Sequence, residues 1–544
     1  MATNSSQSSL VQLHVIGRGD SASKEQRRPR ADADFKHYTG NARTAPPGDD
    51  CACVHNLHFP RRLDRHCGQK LAEKAWSGYC KSPTKDANGQ AERPVLKAFS
   101  STHSSVISNM RTTVLFLLLT LGLASGRDGE GYRGHQVLSV RAQTPNQVEL
   151  LKELMDKHDE IIFLTLPSSV KQTEFVVPPN LIQEVTSALR EADITIELLF
   201  ADAQKEIERS LAENERNRLY ARSVYNSPHH DIPPLIPCTI PTVVAIINNF
   251  AQAYKDLAQV HSLPYKTFED KTVYYLTVTG KTNSAGTKPV IIVETLLHAR
   301  EWITTAAAIY TIDNLLKNYE AGDAKAVQAL DNFTWIFLVV ANPDGYEYTF
   351  TANNRLWRKN RKRVTTNCYG VDLNRNFDVQ FGGVGSSSAC SSETYHGQHA
   401  FSEQETLNIR HLVETHYNNL ISYLSVHSYS QLLLKPWGYT TSASVVPPNI
   451  NELNRVGTIV NAELSSHGAT HTFGTAAGVL GYAAAGCAED WALTHKPGIY
   501  AYCYELRPRT SAAGGFIVAA SQIPYVGAEV YHSFLALAAA ILPK

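Results

Sequence analysis

Apolar and polar positions follow two registers along the chain and divide it. Between 133 and 205, HQVLSV and EIIFLTL read as strands, while VELLKELMDKH and NLIQEVTSALREA place apolar residues at helical spacing. ITIELLF closes the stretch as a further strand, so the pattern predicts a small α+β domain over 133–205. From about 238 to 544, VYYLTVTG, KPVIIVETLL, FTWIFLVVAN, LISYLSVHSYS and YAYCYELR predict strands. Helical patterns lie between them around 242–259, 301–318, 402–417, 450–465 and 525–540. The run Val290-Ile291-Ile292-Val293 is apolar throughout, as a strand covered on both faces must be. This alternation predicts an α/β fold, a mixed, mostly parallel twisted sheet flanked by helices.

The two domains are joined by a polar, charged stretch at 206–222 that carries Arg216, Arg218 and Arg222. An exposed helical linker of this kind suits cleavage by a trypsin-like protease. Before Met110 no period of either kind persists, and residues 1–109 hold 16 Lys and Arg against 10 Asp and Glu. Cys51, Cys53, Cys67 and Cys80 fit no zinc-knuckle spacing, and the segment is expected to be disordered or an upstream gene-model extension. Residues 110–126 then give one basic residue, an apolar run from Val114 to Leu123, and small residues. That is the layout of a secretory signal peptide, with Met110 as the true start. Secretion makes disulfides available to Cys238, Cys368, Cys390, Cys487 and Cys503, an odd set that leaves one unpaired in a monomer. A secreted chain with a small domain ahead of a basic linker points to a zymogen.

Composition adds exclusions. With 51 basic and 51 acidic residues the formal net charge is zero, so nothing in the total points to nucleic acid or membrane surfaces. A length of 544 residues with 43% hydrophobic content calls for two or three globular domains.

Candidate chemistry gathers where strands end, the usual place for sites in such folds. LLHAREWI puts His298 and Glu301 between a buried strand and a helix; His427 ends LISYLSVHSYS, and Glu505 ends YAYCYELR. An H-x-x-E alone arises by chance about once in a chain of this composition, and each residue alone reads as structural. Together, two His and one Glu suffice for catalytic zinc with one position left for water, and a further carboxylate can serve as general base. The loops WRKNRKR and VDLNRNFD nearby are dense in Arg and Asn.

With these blocks on the page, the region from about 238 onwards resembles the metallocarboxypeptidases of the pancreatic A/B type. HAREWI, NPDGYEYT, RLWRKNR, GVDLNRNFD, HSYSQLLLKPWGY, GYAAAGCAEDW and YELR carry the resemblance, in matching order and spacing. Residues 133–222 are similar in size and pattern to that family's inhibitory propeptide. The resemblance implies Zn2+ on His298, Glu301 and His427, with Glu505 as general base and Arg358 polarising the scissile carbonyl. It implies that Asn374 and Arg375 grip the substrate's terminal carboxylate and that Tyr482 closes over it. Arg300, Arg355, Ser428, Tyr429 and Phe516 fall on subsite positions, and Cys368 and Cys390 on a common disulfide. A bidentate guanidinium beside an amide suits a planar, anionic C-terminus.

Glu489, Cys487 and Cys503 fall on the specificity pocket. Basic-preferring members carry Asp where this chain has Glu489, so C-terminal Lys or Arg is the expected preference. The alternatives are an A-type preference for aromatic or aliphatic residues, a secreted carboxypeptidase-like binding protein, and an intracellular enzyme acting on modified tails. Departures are few: FEDKTVYYL lacks a Gly-Arg-Pro often found before this strand, and Cys487 and Cys503 replace a small residue and Thr. Expected partners are peptides with a free C-terminus and an activating trypsin-like protease. The enzyme is expected to be a monomer in an extracellular, digestive setting, without nucleic acid or membrane.

Overall fold

The computed structural model describes residues 131–224, 239–282 and 288–542. The expectations for residues 1–109, for the signal peptide at 110–126 and for Cys238 lie outside the described residues, as do the side chains of Arg216, Arg218 and Arg222. Among the described residues, no helix is long and apolar enough to cross a membrane.

The small N-terminal domain is an antiparallel sheet of β1 (Gln136–Val140), β2 (Ile162–Phe163), β3 (Thr173–Val177) and β4 (Ile196–Phe200), in the order β2-β3-β1-β4. The helices Pro145–Lys157 and Ile182–Glu191 cover it. The first is started by a capping box, in which the Thr144 hydroxyl accepts from the Gln147 amide and the Gln147 side chain accepts in return. Leu151, Val185 and Leu189 pack on Phe163 and Phe175, whose rings stack 5.0 Å apart. Strand β3 was absent from the sequence expectation. Its Thr173 is buried within the small domain, accepting from the Ser168 amide, and its Glu174 is buried against the larger domain.

The large domain holds an eight-stranded sheet: β5 (Ala258–Ser262), β6 (Tyr274–Thr279), β7 (Val290–Thr295), β8 (Thr334–Leu338), β9 (Leu420–Ser428), β10 (Leu432–Lys435), β11 (Thr472–Thr475) and β12 (Tyr500–Leu506). The order is β11-β10-β12-β9-β7-β8-β6-β5. The central strands β12, β9, β7 and β8 are parallel neighbours, as expected, and antiparallel pairs flank them. Helices Trp302–Glu320 and Ile523–Ile541 pack together on this sheet, where Phe534 stacks on Trp335 at 5.6 Å. The helix expected over 242–259 ends at Ala253, because Ala258–Ser262 instead pairs with β6 at the sheet edge. The short strands β10 and β11 and the helices Ala324–Asn332 and Ala488–His495 were not read from the sequence; each is too short for its period to stand out.

One buried acid sets a pH dependence for the fold. Asn360 Nδ2 donates to both Glu403 Oε2 (2.7 Å) and Glu405 Oε2 (3.2 Å). Burial, and then the Glu403 charge, push the Glu405 carboxyl up to about 8. A folded value above the unfolded one means that the folded state holds the proton more tightly. That contribution to stability is complete below the unfolded value, is lost as pH rises, and is gone above about 8. Glu405→Gln is therefore expected to stabilise the protein by about 1–3 kcal/mol at pH 8 and little at pH 4. Urea unfolding at both values checks this, and an equal effect at the two would count against it.

Candidate active site

The site forms at the C-terminal ends of the central parallel strands. In the register between β9 and β12, His427 lies opposite Glu505. The chain leaves β7 through Leu296, whose φ of 56° turns it sharply. The Leu296 amide donates to Thr304 Oγ1 (3.1 Å), and that hydroxyl donates to the Glu301 carbonyl (2.9 Å). This ties the first turn of the helix Trp302–Glu320 back to the strand and aims His298 and Glu301 at the strand ends.

Three side chains converge there. His298 Nδ1 is 2.7 Å from Glu301 Oε1, His427 Nδ1 is 3.0 Å from Glu301 Oε2, and the two Nδ1 atoms are 3.0 Å apart. All three residues are buried. The outer nitrogens are held as well: His298 Nε2 is 3.1 Å from Asp372 Oδ1, and His427 Nε2 is 2.9 Å from Ser425 Oγ. Behind Ser425, whose hydroxyl donates to it at 3.0 Å, lies Glu294. Two imidazoles and a carboxylate aimed at one point, each imidazole oriented from behind, are the donor set of catalytic zinc. The residues fit that ion.

The electrostatics fit it too. Burial would raise the Glu301 carboxyl, but His298 and His427 hold it below the usual range. Burial would lower His427, yet Glu301, Glu294 and Glu505 hold it up to about 10, so this cluster already favours a positive charge at its centre. Glu505 is pushed up to about 8 by burial and then by Glu301. Such a carboxyl is more basic than an ordinary one and suits a proton acceptor.

The other expected residues surround this centre. Arg358 donates through Nε and Nη2 to Asp372 Oδ2 at 3.2 and 2.9 Å. Asn374 Oδ1 accepts from the Ala488 amide at 2.8 Å, while Arg375 Nε donates to the Gly385 carbonyl at 2.9 Å. At Gly486 (φ 78°) a Cβ would meet the Arg375 carbonyl oxygen at 2.4 Å, so only glycine lets the pocket wall approach this arginine. Tyr482 lines the same cavity, and burial raises its hydroxyl to about 12. Glu489, Cys487 and Cys503 line the cavity beside Glu505. Glu489 Oε2 has no hydrogen-bond partner among the described residues, and burial raises its carboxyl. Cys487 and Cys503 are both free thiols, which burial pushes well up, whereas Cys368 and Cys390 form the expected disulfide.

Of the remaining subsite positions, Arg300 and Tyr429 bond to the small domain. Arg300 Nη2 donates to the Phe163 carbonyl at 3.0 Å, with its guanidinium 4.5 Å from the Phe516 ring centre. Arg355 Nη2 donates to the Phe516 carbonyl at 2.6 Å. The Tyr429 hydroxyl donates to Glu174 Oε2 at 2.6 Å, and the Ser428 amide donates to Glu301 Oε2 at 3.2 Å. Ser168 Oγ donates to the Leu480 carbonyl at 2.7 Å, just before the turn that carries Tyr482. Lys171 enters the cavity that holds Glu505; burial lowers its ammonium, and the Glu505 charge opposes that. Sequence reasoning missed Glu174, Lys171, Asp372 and Glu294. Asp372, inside VDLNRNFD, carried a signal; the others lie in stretches that read as ordinary strand or loop.

Comparison with known proteins agrees with this geometry. Residues 243–533 match the Zinc carboxypeptidase family, and residues 138–210 match the Carboxypeptidase activation peptide family. Zinc carboxypeptidase A 1 of Drosophila melanogaster is 33% identical over 437 residues, covering 79% of this chain and 97% of that protein. Carboxypeptidase B of Helicoverpa zea is 30% identical over 418 residues, covering 75% and 93%. Among solved structures, the carboxypeptidase A from Helicoverpa armigera superposes with a TM-score of 0.67 at 28% identity, covering 76% of this chain and 99% of that one.

Asp372 touches both His298 and Arg358. Asp372→Asn is expected to weaken zinc binding by about 10–100-fold, the usual cost of losing an orienting partner behind a ligand. Competition with a chromophoric chelator measures this; unchanged affinity would remove Asp372 from that role.

Proposed function

The chain belongs to the zinc carboxypeptidase family, and we propose that it is a secreted zymogen whose mature form removes C-terminal Lys or Arg from peptides. The observation that carries the preference is Glu489, a buried carboxylate whose Oε2 lacks a partner in the cavity beside Glu505. An unpaired buried anion is unfavourable, and a cationic side chain entering the pocket relieves that cost, whereas Phe or Leu does not.

The roles follow from position. His298, Glu301 and His427 hold zinc, which supplies a Lewis acid and makes a water nucleophilic near neutral pH. Glu505 takes the proton from the attacking water and passes it to the departing amine. Arg358, held by two hydrogen bonds to Asp372, presents a fixed positive charge to the carbonyl oxygen as that oxygen gains charge. Arg375 and Asn374 bind the terminal carboxylate, and Tyr482 closes the cavity over it. In the zymogen, residues 133–205 restrain the cleft: Phe163 and Glu174 engage Arg300 and Tyr429, and Lys171 stands before Glu505. Cleavage within Arg216–Arg222 releases them.

Trypsin treatment of the full chain, with sequencing of the new N-terminus, tests activation and supplies enzyme for a peptide panel. Peptides alike except for a final Lys, Arg, Phe or Leu are expected to give a higher kcat/KM for the basic residues, and Glu489→Leu to reverse the order. A wild-type preference for Phe or Leu over both basic residues would overturn the assignment. Glu505→Gln is expected to retain zinc and KM while kcat falls about 10²–10⁴-fold. Retention of more than about a tenth of kcat is incompatible with its role as general base.

A further inference from the structure

A second set of metal-ligating side chains lies away from the cleft, where two helices meet. Glu463 belongs to the helix Ile450–Ser466, His467 is that helix's C-terminal cap, and His532 projects from the helix Ile523–Ile541. We propose that Glu463, His467 and His532 form a second divalent-metal site, suited to Zn2+. None of the roles assigned to the cleft depends on it.

Four observations support the site. Glu463 and His467 are four residues apart, which puts both side chains on one face of the helix. Glu463 Oε1 and His467 Nε2 are 3.2 Å apart. Two ligands of a tetrahedral zinc with bonds of about 2.0–2.1 Å stand about 3.3 Å apart, so this pair already has a ligand spacing. The His532 ring is 4.3 Å from that of His467 and nearly parallel to it, and one donor atom from each of the three residues lies within 4.8 Å of the others. Finally, the cluster is at the C-terminal end of a 17-residue helix, where the backbone dipole favours a cation.

An i,i+4 ion pair explains Glu463 and His467 but gives no reason for a second imidazole to stack on the first. Protonating both rings would set two like charges face to face. Lys325 and Asp323, of opposite charge, also stand near His532. The neighbouring cation Arg507 donates to the His467 carbonyl and is paired with Glu529. All three ligands are half-buried, and one donor atom of each can face a common point. Two imidazoles and one carboxylate suit a borderline cation such as zinc better than the all-oxygen preference of calcium or magnesium. The ion would fasten the C-terminal helix to the helix Ile450–Ser466.

The test is isothermal titration of Zn2+ into the full chain already loaded with one equivalent of tightly held zinc, together with Tm measured at several zinc concentrations. Wild type is expected to take up one further equivalent, with Tm rising as zinc is added. His532→Ala should lose the further equivalent and the rise in Tm. Glu463→Gln, the milder change, should bind it about tenfold or more weakly. Retention of the first equivalent in both variants shows that they fold and separates this result from any failure at the cleft. A wild-type protein that takes up no second equivalent would overturn the proposal. So would variants that bind the second equivalent as wild type does.

Discussion

Two imidazole nitrogens 3.0 Å apart, facing both oxygens of one carboxylate in a buried space, are the constraint on which the catalytic domain depends. No isolated strand or loop can hold such a group, because each partner must be anchored independently before the donors meet. The parallel neighbours β7 and β9 supply the anchors: β9 carries His427, and the sharp turn at Leu296 after β7 carries His298 and Glu301. The polar residues behind them follow from the same need. Asp372 and Ser425 fix the imidazole orientations, and Glu294 is fully buried in β7 behind Ser425. Its carboxyl is raised by burial to about 7 and accepts from Tyr423 and Ser425 at 2.9 and 3.0 Å. The desolvation of these acids is tolerated because the cluster gathers a positive charge at its centre.

The small domain meets the cleft through groups that imitate substrate chemistry without offering a bond to cut. A backbone carbonyl at Phe163 takes the Arg300 guanidinium, and the Glu174 carboxylate takes the Tyr429 hydroxyl and the Ser511 amide. Peptide carbonyls and carboxylates are what a peptide-binding cleft receives, so under the proposed function the same donors would serve propeptide and substrate. This explains Glu174 in β3: its side-chain partners lie in the other domain.

Much of this was legible from sequence, and the omissions share a cause. The central strands announced themselves because a strand buried on both faces is apolar along its whole length, as in Val290–Val293. The three metal ligands and Glu505 were legible because polar residues at the ends of such strands stand out. The edge strands β5 and β11 lack that contrast because they are short and partly exposed, and β10, though buried, is only 4 residues long. Glu174 and Lys171 were invisible for a different reason. Their meaning depends on a partner in a distant stretch of chain, and no local period records such a pairing.

In the proposed specificity pocket a single buried charge would decide which side chain is accepted. Arg375 is the cation that acts on Glu489 from the pocket wall, but its guanidinium is already committed to the carbonyls of Gly385 and Asn374 at 2.9 and 2.7 Å. His427 lowers Glu489 as well, yet its ring is committed to Glu301 and Ser425. The free thiols of Cys487 and Cys503 add neither a cation nor a strong donor. A hydrogen bond from its own backbone, then His427 and Arg375, offset only part of the desolvation of Glu489, and its carboxyl stays raised. Under the proposed basic preference the rest of the offset would come from what enters: an ammonium or guanidinium would stabilise the ionised carboxylate, while an apolar side chain would leave its Oε2 buried without a partner. Discrimination would then rest on the penalty against the wrong side chain as much as on attraction to the right one.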